Sequence, residues 1–275
     1  MVVQHNMQAM NANRMLNVTT GQQAKSTEKL SSGYKINRAA DDAAGLSISE
    51  KMRSQIRGLN KASSNAQDGV SLVQTAEGAL NETHSILQRM NELATQAANG
   101  TNTSVDRSAI RAELDQLTSE INRIQSTTQF NTMNLLDGTF SGATNQMKLQ
   151  VGALSGQSID FSIANMCATK IGLKKTLSVS TFTKAGSYMK SVQDAIEVVS
   201  KQRSAMGAIQ NRLEHTIANL DTTSENTQSA ESRIRDTDMA SEMVTYSKNN
   251  ILAQAGQSML AQANQSTQGV LSLLQ

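Results

Sequence analysis

The sequence contains no proline, no tryptophan and one cysteine among its 275 residues, and only 3% of its residues are aromatic. Proline costs about 3 kcal/mol in the interior of a helix, so its absence permits long uninterrupted helices. Large aromatic side chains usually fill a thick globular core, and this chain has few of them. Thin helical packing over Ala, Leu, Ile, Val and Met is the arrangement that this composition favours.

Several partner classes are disfavoured by the same composition. Cys167 stands alone, so the sequence offers neither an intramolecular disulfide nor a thiolate metal cluster. The net charge is only +2 and basic residues are scattered, which disfavours nucleic acid as a partner. No stretch approaches the roughly 20 apolar residues of a membrane span. Residues 1–6 lack the basic and apolar blocks of a secretory signal, which predicts cytoplasmic residence or export by another route.

Residues that could carry catalysis are too isolated for that role. His5, His84 and His215 lie far apart, and none has a second metal ligand at helical spacing. Asp41 and Asp42 could form an acid/base pair, but capping of a helix N-terminus is the favoured interpretation. Glycine-rich phosphate loops and nucleophile elbows are missing from the sequence. We therefore predict a protein that is not an enzyme and needs no cofactor or metal.

A strict apolar heptad repeat is the strongest pattern in the chain. Every seventh residue is apolar at Met52, Leu59, Ala66, Val73, Leu80, Leu87 and Ala94. This repeat predicts one helix, roughly 65 Å long over that span, with a continuous apolar stripe. The adjoining heptad position is interrupted by polar residues at Ser63, Glu77, His84 and Asn91. A helix this long must lay its stripe against other helices, which favours a structural role over catalysis.

The rest of the chain supplies partners for this helix. The helix is expected to end near Asn99-Gly100, and a second is expected to begin at Ser104 with Asp106 in its first turn. The short link between them predicts antiparallel packing. Alternating apolar residues predict a β-hairpin with strands near 145–152 and 158–164.

After a low-signal segment at 165–184, a third apolar helix and a weakly apolar C-terminal segment follow. The predicted fold is mainly α: a long antiparallel helical bundle with coiled-coil-like termini and a small β-hairpin region. The predicted boundaries are 1–42 for an N-terminal arm, 43–230 for the bundle with its hairpin near 145–164, and 231–275 for a C-terminal arm.

Long motifs at both ends of the chain resemble those of bacterial flagellins. They are LSSGYKINRAADDAAGLSI at 30–48, AQDG at 66–69, TAEGAL at 75–80, QFN at 129–131, IRDTDMA at 234–240 and AQANQ at 261–265. The resemblance covers about 1–170 and 185–275. It is specific because several motifs occur in the right order.

The resemblance implies a structural subunit that polymerises into the flagellar filament for swimming motility. It implies that the two arms form an inner filament-core domain and that 43–230 forms an outer domain. Residues 165–184 stand where most flagellins insert a large variable domain. The implied partners are many copies of the chain, an export chaperone, the filament cap and hook–filament junction proteins. The implied location is the extracellular filament, reached unfolded through the flagellar type III route without a cleaved signal peptide.

Two sets of residues are expected to act in contacts with other proteins. Packing of the filament core is assigned to apolar residues at the chain ends: Val3, Met7, Met10, Leu252, Met259, Val270 and Leu274. The segment QRMNEL at 88–93, together with Glu113, resembles the patch by which many flagellins engage the flagellin-sensing toll-like receptor. Gln88, Arg89, Leu93 and Glu113 are the residues expected to be recognised. The alternative for this second set is a subunit contact or a solvated helix surface, and both roles are compatible.

Two other classes of protein remain open at the level of sequence. A hook–filament junction protein shares flagellin-like ends, although the match through the middle of the chain favours flagellin. A secreted coiled-coil adhesin would not require both terminal signatures. Growth of filaments from purified monomer on seeds distinguishes all three.

Overall fold

The computed structural model describes residues 6–142, 145–173 and 179–272, with side chains described as far as residue 266. Within these residues the chain forms five helices and two small hairpins. The elements are α1 Met7–Ser32, α2 Ala43–Ala97, α3 Ser104–Thr127, β1 Gln129–Phe130, β2 Met133–Asn134, β3 Met147–Gln150, β4 Ser158–Phe161, α4 Phe182–Arg235 and α5 Met239–Ser272. The predicted mainly α fold with a β-hairpin is confirmed.

The chain forms two compact units, and both points of division fall inside helices, one in α2 and one in α4. Unit 1 comprises Met1–Gln55 and Glu225–Gln275, and unit 2 comprises Ile56–Ser224. The boundaries predicted at 42/43 and 230/231 instead lie near the breaks between helices. The two sets differ because α2 and α4 each continue through a change of packing that no loop marks.

The start of α2 explains the two aspartates that precede it. Asp42 Oδ1 accepts from the backbone N–H of Gly45 at 2.9 Å, as an N-cap does. Asp41 Oδ2 instead accepts from the N–H groups of Arg38 and Asn37, at 3.0 and 3.3 Å, within the preceding turn. These two backbone bonds lower the pKa of Asp41 below its ordinary value. Capping therefore accounts for Asp42, while Asp41 stabilises the turn.

Helix α3 begins at Ser104, where the sequence predicts it, and the residue before it supplies the N-cap. Thr103, not Ser104, is the N-cap, and it forms a capping box with Asp106. The Thr103 N–H donates to Asp106 Oδ2 at 2.9 Å, and the Asp106 N–H donates to the Thr103 hydroxyl at 3.3 Å. Hydrogen bonds from Thr103 lower the pKa of Asp106. A threonine with an acidic residue three positions later satisfies this box, which Ser104 cannot.

The predicted apolar stripe of α2 is buried in unit 2. Leu59, Ala66, Val73, Leu80, Leu87 and Ala94 are all buried. The largest fully buried side chains of the core come from α2, α3, α4 and the intervening segments: Leu80, Leu87, Met90, Leu93, Ile121, Leu135, Leu136, Ile163, Met166, Ile171, Leu173 and Leu213. Unit 2 therefore has an apolar core of its own, made of one large cluster and two smaller ones.

Two polar interruptions of the α2 stripe, Ser63 and Glu77, connect α2 to α4, and Asn60 adds a third link. Three side-chain pairs join the helices in an antiparallel register: Asn60 with Ser224 at 2.7 Å, Ser63 with Asp221 at 2.9 Å, and Glu77 with Arg203 at 3.7 Å. Helix α3 is also antiparallel to α2, because Arg107 Nε donates to the Ala97 carbonyl at 3.1 Å while Arg89 pairs with Glu113. These links fix the register of the three helices.

The hairpin β3–β4 lies where alternation predicts it, and it packs closely on α2. A Cβ at Gly58 would lie 2.8 Å from the Ala153 Cβ, and one at Gly69 would overlap the Leu149 side chain. Asn65 Nδ2 donates to the Gln150 carbonyl at 3.2 Å. Glycine at these two positions is what allows the hairpin to approach the helix.

Two features of unit 2 differ from the sequence-based expectation. The hairpin β1–β2 was not predicted; Asn131 and Thr132 form its two-residue turn with φ of 47° and 65°. Residues 165–173 were expected to carry little structural signal, yet Met166, Ile171 and Leu173 are 2% exposed each. The described part of this segment completes the core.

Truncation of a buried leucine and of an exposed leucine in unit 2 should change the stability of the monomer by different amounts. We expect Leu87→Ala to lower the free energy of unfolding of the monomer by about 2–5 kcal/mol, because a fully buried side chain leaves a cavity. Leu154→Ala is the matched control in the same unit, since Leu154 is 67% exposed. Urea denaturation followed by circular dichroism measures both. Equal destabilisation by the two variants would contradict the assignment of the core.

Candidate functional site

The helices at the two chain ends form an antiparallel pair in unit 1. Asn6 caps α1 and donates from Nδ2 to the Ala263 carbonyl on α5 at 2.9 Å. At the other end of the pair, Lys29 Nζ lies 3.9 Å from Glu242 Oε2. The predicted pairing of the two terminal segments is therefore present within one chain.

The segment that follows α1 and the segment that precedes α5 are joined by two backbone hydrogen bonds. The Lys35 N–H donates to the Arg235 carbonyl at 2.7 Å, and the Thr237 N–H donates to the Gly33 carbonyl at 3.0 Å. The Arg235 guanidinium lies 4.8 Å from the centroid of the Tyr34 ring. The sequence motifs at 30–48 and 234–240 thus meet in space, which holds α1 and α5 side by side.

Unit 1 buries very little apolar surface. Among its described residues, Ile36 and Ala253 are the only buried hydrophobic side chains. Many large apolar side chains of unit 1 are instead exposed: Met7, Met10, Met15, Val18, Ile48, Met239, Met243, Val244, Ile251, Leu252 and Met259. A helix pair of this kind has no core to stabilise it in water, because most helical stability comes from packing of an apolar face.

An open groove of about 700 Å³ lies between α1 and α5. Its apolar wall includes Met15 and Leu16 on α1, and Leu252 and Met259 on α5. A Cβ at Gly256 would reach only ordinary contact distance, 3.4 Å, from the Leu16 Cδ1. The groove has the shape and chemistry to receive apolar side chains from another helix.

The predicted packing residues lie on this exposed surface wherever the structure describes them. Met7 and Met10 on α1 are 67% and 62% exposed, and Leu252 and Met259 on α5 are 50% and 60% exposed. Val3 and Leu274 lie outside the described residues. Val270 lies in α5, but its side chain is outside the described part of the chain.

The second predicted set centres on an exposed cluster of three charges. Arg89 Nε and Nη2 donate to Glu113 Oε1 on α3, at 3.2 and 3.0 Å. Arg89 Nη1 donates to Glu92 Oε2 at 3.2 Å. Hydrogen bonds to Glu113 and then Glu92 raise the pKa of Arg89 above its ordinary value. Glu92 lies within the motif at 88–93, and its i+3 spacing from Arg89 accounts for this contact.

Leu93 differs from the other three predicted residues. Gln88, Arg89 and Glu113 are exposed, whereas Leu93 is 2% exposed and belongs to the core of unit 2. The Leu93 side chain is therefore not accessible to another protein in this structure, and its part in recognition stays a prediction. Leu93 follows Met90 by three residues on the same buried face of α2.

Other kinds of site find little support in the part of the chain that the structure describes. No group of three or more His, Cys, Asp and Glu side chains is placed to hold a metal ion among those residues. None of the described helices is both long enough and apolar enough to cross a membrane.

Unit 1 has an exposed apolar face and unit 2 has a buried core, a combination typical of a helical subunit that packs into a larger assembly. Comparison with known proteins gives the family. The model of the bacterial flagellin N-terminal helical region matches residues 3–141, and that of the C-terminal helical region matches residues 189–274. The chain belongs to the bacterial flagellin family.

Individual relatives agree over the whole length of the chain. A flagellin of Halalkalibacterium halodurans is 54% identical, with 100% of each chain covered. A flagellar filament 31.3 kDa core protein of Treponema maltophilum is 51% identical, again with 100% of each chain covered. The crystal structure of Bacillus cereus flagellin matches with 30% identity and a TM-score of 0.51, covering 57% of this chain and 88% of that one.

Family membership establishes the class of function. The chain is a structural, non-enzymatic subunit of the flagellar filament, in which many copies polymerise to serve motility. The predictions of a filament subunit and of a protein that is not an enzyme are both confirmed by the family.

Hydrogen exchange should distinguish the two units in the monomer. We expect backbone amides of α1 and α5 to exchange with almost no protection, because unit 1 has little buried apolar surface. Amides of α2 between 59 and 94 should be strongly protected in the same sample, and α1 and α5 should become protected in filaments. Protection of α1 equal to that of α2 in a monodisperse monomer would contradict this account.

Proposed function

We propose that the subunit assembles by burying the apolar faces of α1 and α5 against the same helices of neighbouring copies. The single observation that supports this proposal is the exposure of large apolar side chains along both helices, with Ile251 at 66% and Val244 at 71%. The arms 1–42 and 231–275 would thereby form the inner core of the filament. Unit 2, which has its own core, would form the layer outside it.

Folding of the terminal helices would then be coupled to assembly. A helix pair with few buried contacts gains its apolar packing only when neighbours supply it, so ordering and binding occur together. A repeated contact between different surfaces of identical subunits does not close and generates an open helical polymer. The groove between α1 and α5 offers the receiving surface for such a contact.

The export route and the accessory partners belong to the same proposal. We infer that the chain travels unfolded through the flagellar type III channel. Its ends bury little apolar surface, and its single cysteine cannot form an intramolecular disulfide that would have to be broken first. An export chaperone would cover the apolar surface of the arms before assembly. The filament cap and the hook–filament junction proteins would meet the same helices at the two ends of the filament.

Removal of the C-terminal end of α5 tests the assembly role. Deleting residues 251–275 removes Ile251, Leu252 and Met259, all exposed in the single chain. We expect no growth on filament seeds, while unit 2 keeps its cooperative urea transition because its core lies within 56–224. Electron microscopy and circular dichroism report the two results. Filaments from the truncated chain would show that the terminal helix is dispensable.

We also propose that the Arg89 cluster is the surface that a host toll-like receptor recognises. Arg89 and Glu113 come from different helices, yet their side chains meet at 3.0 Å, so the folded unit presents both together. Their side chains are 51% and 46% exposed, and Gln88 is exposed one residue earlier on α2. The support is therefore geometric: three of the four residues of the resembling motif form one accessible patch.

Charge reversal tests this second role. We expect Arg89→Asp to weaken receptor activation by monomer roughly tenfold or more, because a charge-assisted contact made by Arg89 would be lost and the charge reversed. Arg123→Asp is the matched control, since Arg123 is also an exposed arginine paired with a glutamate, Glu120, but lies elsewhere on α3. Both variants must keep wild-type helicity. Equal activation by wild type and Arg89→Asp would exclude recognition through this patch.

A further inference from the structure

The methionines of this chain are unevenly distributed between the surface of unit 1 and the core of unit 2. Six exposed methionines belong to α1 and α5, and their exposed fractions run from 47% to 67%: Met7, Met10, Met15, Met239, Met243 and Met259. In unit 2, by contrast, Met90, Met166 and Met206 are buried. Met133 is the only exposed methionine among the described residues of that unit, at 37%.

The thioether of methionine is an apolar group that a peroxide converts into a polar one. The sulfur donates an electron pair to one peroxide oxygen, the O–O bond breaks, and hydrogen peroxide leaves as water. The product is methionine sulfoxide, whose oxygen is a strong hydrogen-bond acceptor. An exposed sulfur is open to this attack, whereas a sulfur enclosed in a packed core is shielded from it. In the single chain the oxidisable methionines therefore lie mainly on α1 and α5.

Two of the six exposed methionines lie in the groove between the terminal helices. Met15 on α1 and Met259 on α5 both line it, together with Leu16 and Leu252. When an apolar side chain fills such a groove, a sulfoxide there loses its hydrogen bonds to water. A buried polar group without a partner weakens binding by roughly tenfold. Oxidation thus changes the same surface that the proposed assembly needs to be apolar.

We propose that the exposed methionines of α1 and α5 form a reversible oxidation site, at which peroxides stop the addition of subunits to the filament. This inference rests on the assembly role proposed above for the two helices. Sulfoxides on a free subunit oppose the packing of its terminal helices, whereas the same sulfurs in a grown filament are covered. Oxidation therefore stops growth and spares existing filaments. It also spares the core of unit 2, because Met90, Met166 and Met206 are buried.

Reversal of the modification needs a reductant from outside the chain. A methionine sulfoxide reductase that uses a dithiol removes the oxygen as water, while the dithiol is oxidised to a disulfide and the thioether is restored. Each sulfoxide epimer has its own reductase, so full recovery requires both enzymes. The modified subunit thereby returns to an assembly-competent form.

Peroxide treatment of the monomer tests the inference. A Cys167→Ala background removes the thiol, which is partly exposed and would otherwise be oxidised as well. The full chain is treated until peptide mass spectrometry shows sulfoxide at the six positions, freed of peroxide and added to untreated seeds. We expect the critical concentration to rise about tenfold or more, because several sulfoxides then face apolar surface. Treatment with both reductases and dithiothreitol should restore the original value.

Leucine substitutions provide the matched variants, because leucine has a similar volume and no sulfur. The sixfold variant carries Met7→Leu, Met10→Leu, Met15→Leu, Met239→Leu, Met243→Leu and Met259→Leu. After the same peroxide treatment, its critical concentration should stay within about twofold of its untreated value. The control variant carries only Met133→Leu, on the exposed methionine of unit 2. It should remain as sensitive to peroxide as the parent chain.

Three outcomes would overturn the inference. They are an unchanged critical concentration for the parent chain with sulfoxide at all six positions, a loss of growth that the reductases do not reverse, and equal sensitivity of the sixfold variant. If the sixfold variant does not grow untreated, the parent chain and the reductase treatment decide. Deletion of residues 251–275 tests the assembly role without an oxidant. If that deletion abolishes growth while the fully oxidised chain grows normally, the oxidation site alone is excluded.

Discussion

A long helix must bury its apolar stripe, and this chain does so by itself over only part of its length. In unit 2 the stripe from Leu59 to Ala94 is covered by α3, α4 and the segments between them. In unit 1 the described residues bury only Ile36 and Ala253 among hydrophobic side chains. We therefore expect the stability of the monomer to reside in unit 2 and the order of α1 and α5 to depend on partners.

Polar residues within the packed surfaces determine how the helices align. Ser63 and Glu77 interrupt an apolar position of α2, and each finds a partner on α4, Asp221 or Arg203. A shift of one helical turn would separate both pairs and bury unpaired polar groups, so the apolar stripe supplies the driving force while these residues select one register. In unit 1 the backbone hydrogen bonds between 33–35 and 235–237 align α1 and α5, although these helices bury little apolar surface.

Sequence periodicity predicted the helices and strands that have a regular apolar pattern. It did not predict segments whose conformation is determined by contacts with the rest of the fold. The heptad pattern located the buried face of α2, and alternation located β3–β4. Hairpin β1–β2 was beyond prediction, because strands of two residues have no period and Asn-Thr is a weak turn signal. Residues 165–173 have no helical or strand pattern, yet their isolated apolar side chains fill gaps in the core. The resemblance grouped Arg89 with Glu113, whose side chains pair at 3.0 Å, but it gave no sign that Leu93 is buried.

The central claim is that the apolar faces of α1 and α5 are open in the single chain and covered in the filament, and methionine oxidation tests it most directly. Met7, Met10, Met15 and Met259 are 55–67% exposed, whereas Met90 and Met206 are buried. With peroxide and peptide mass spectrometry, the four exposed methionines should oxidise rapidly in monomer and slowly in intact filaments, while the two buried ones resist in both. Equal oxidation rates for the four residues in monomer and filament would contradict the account.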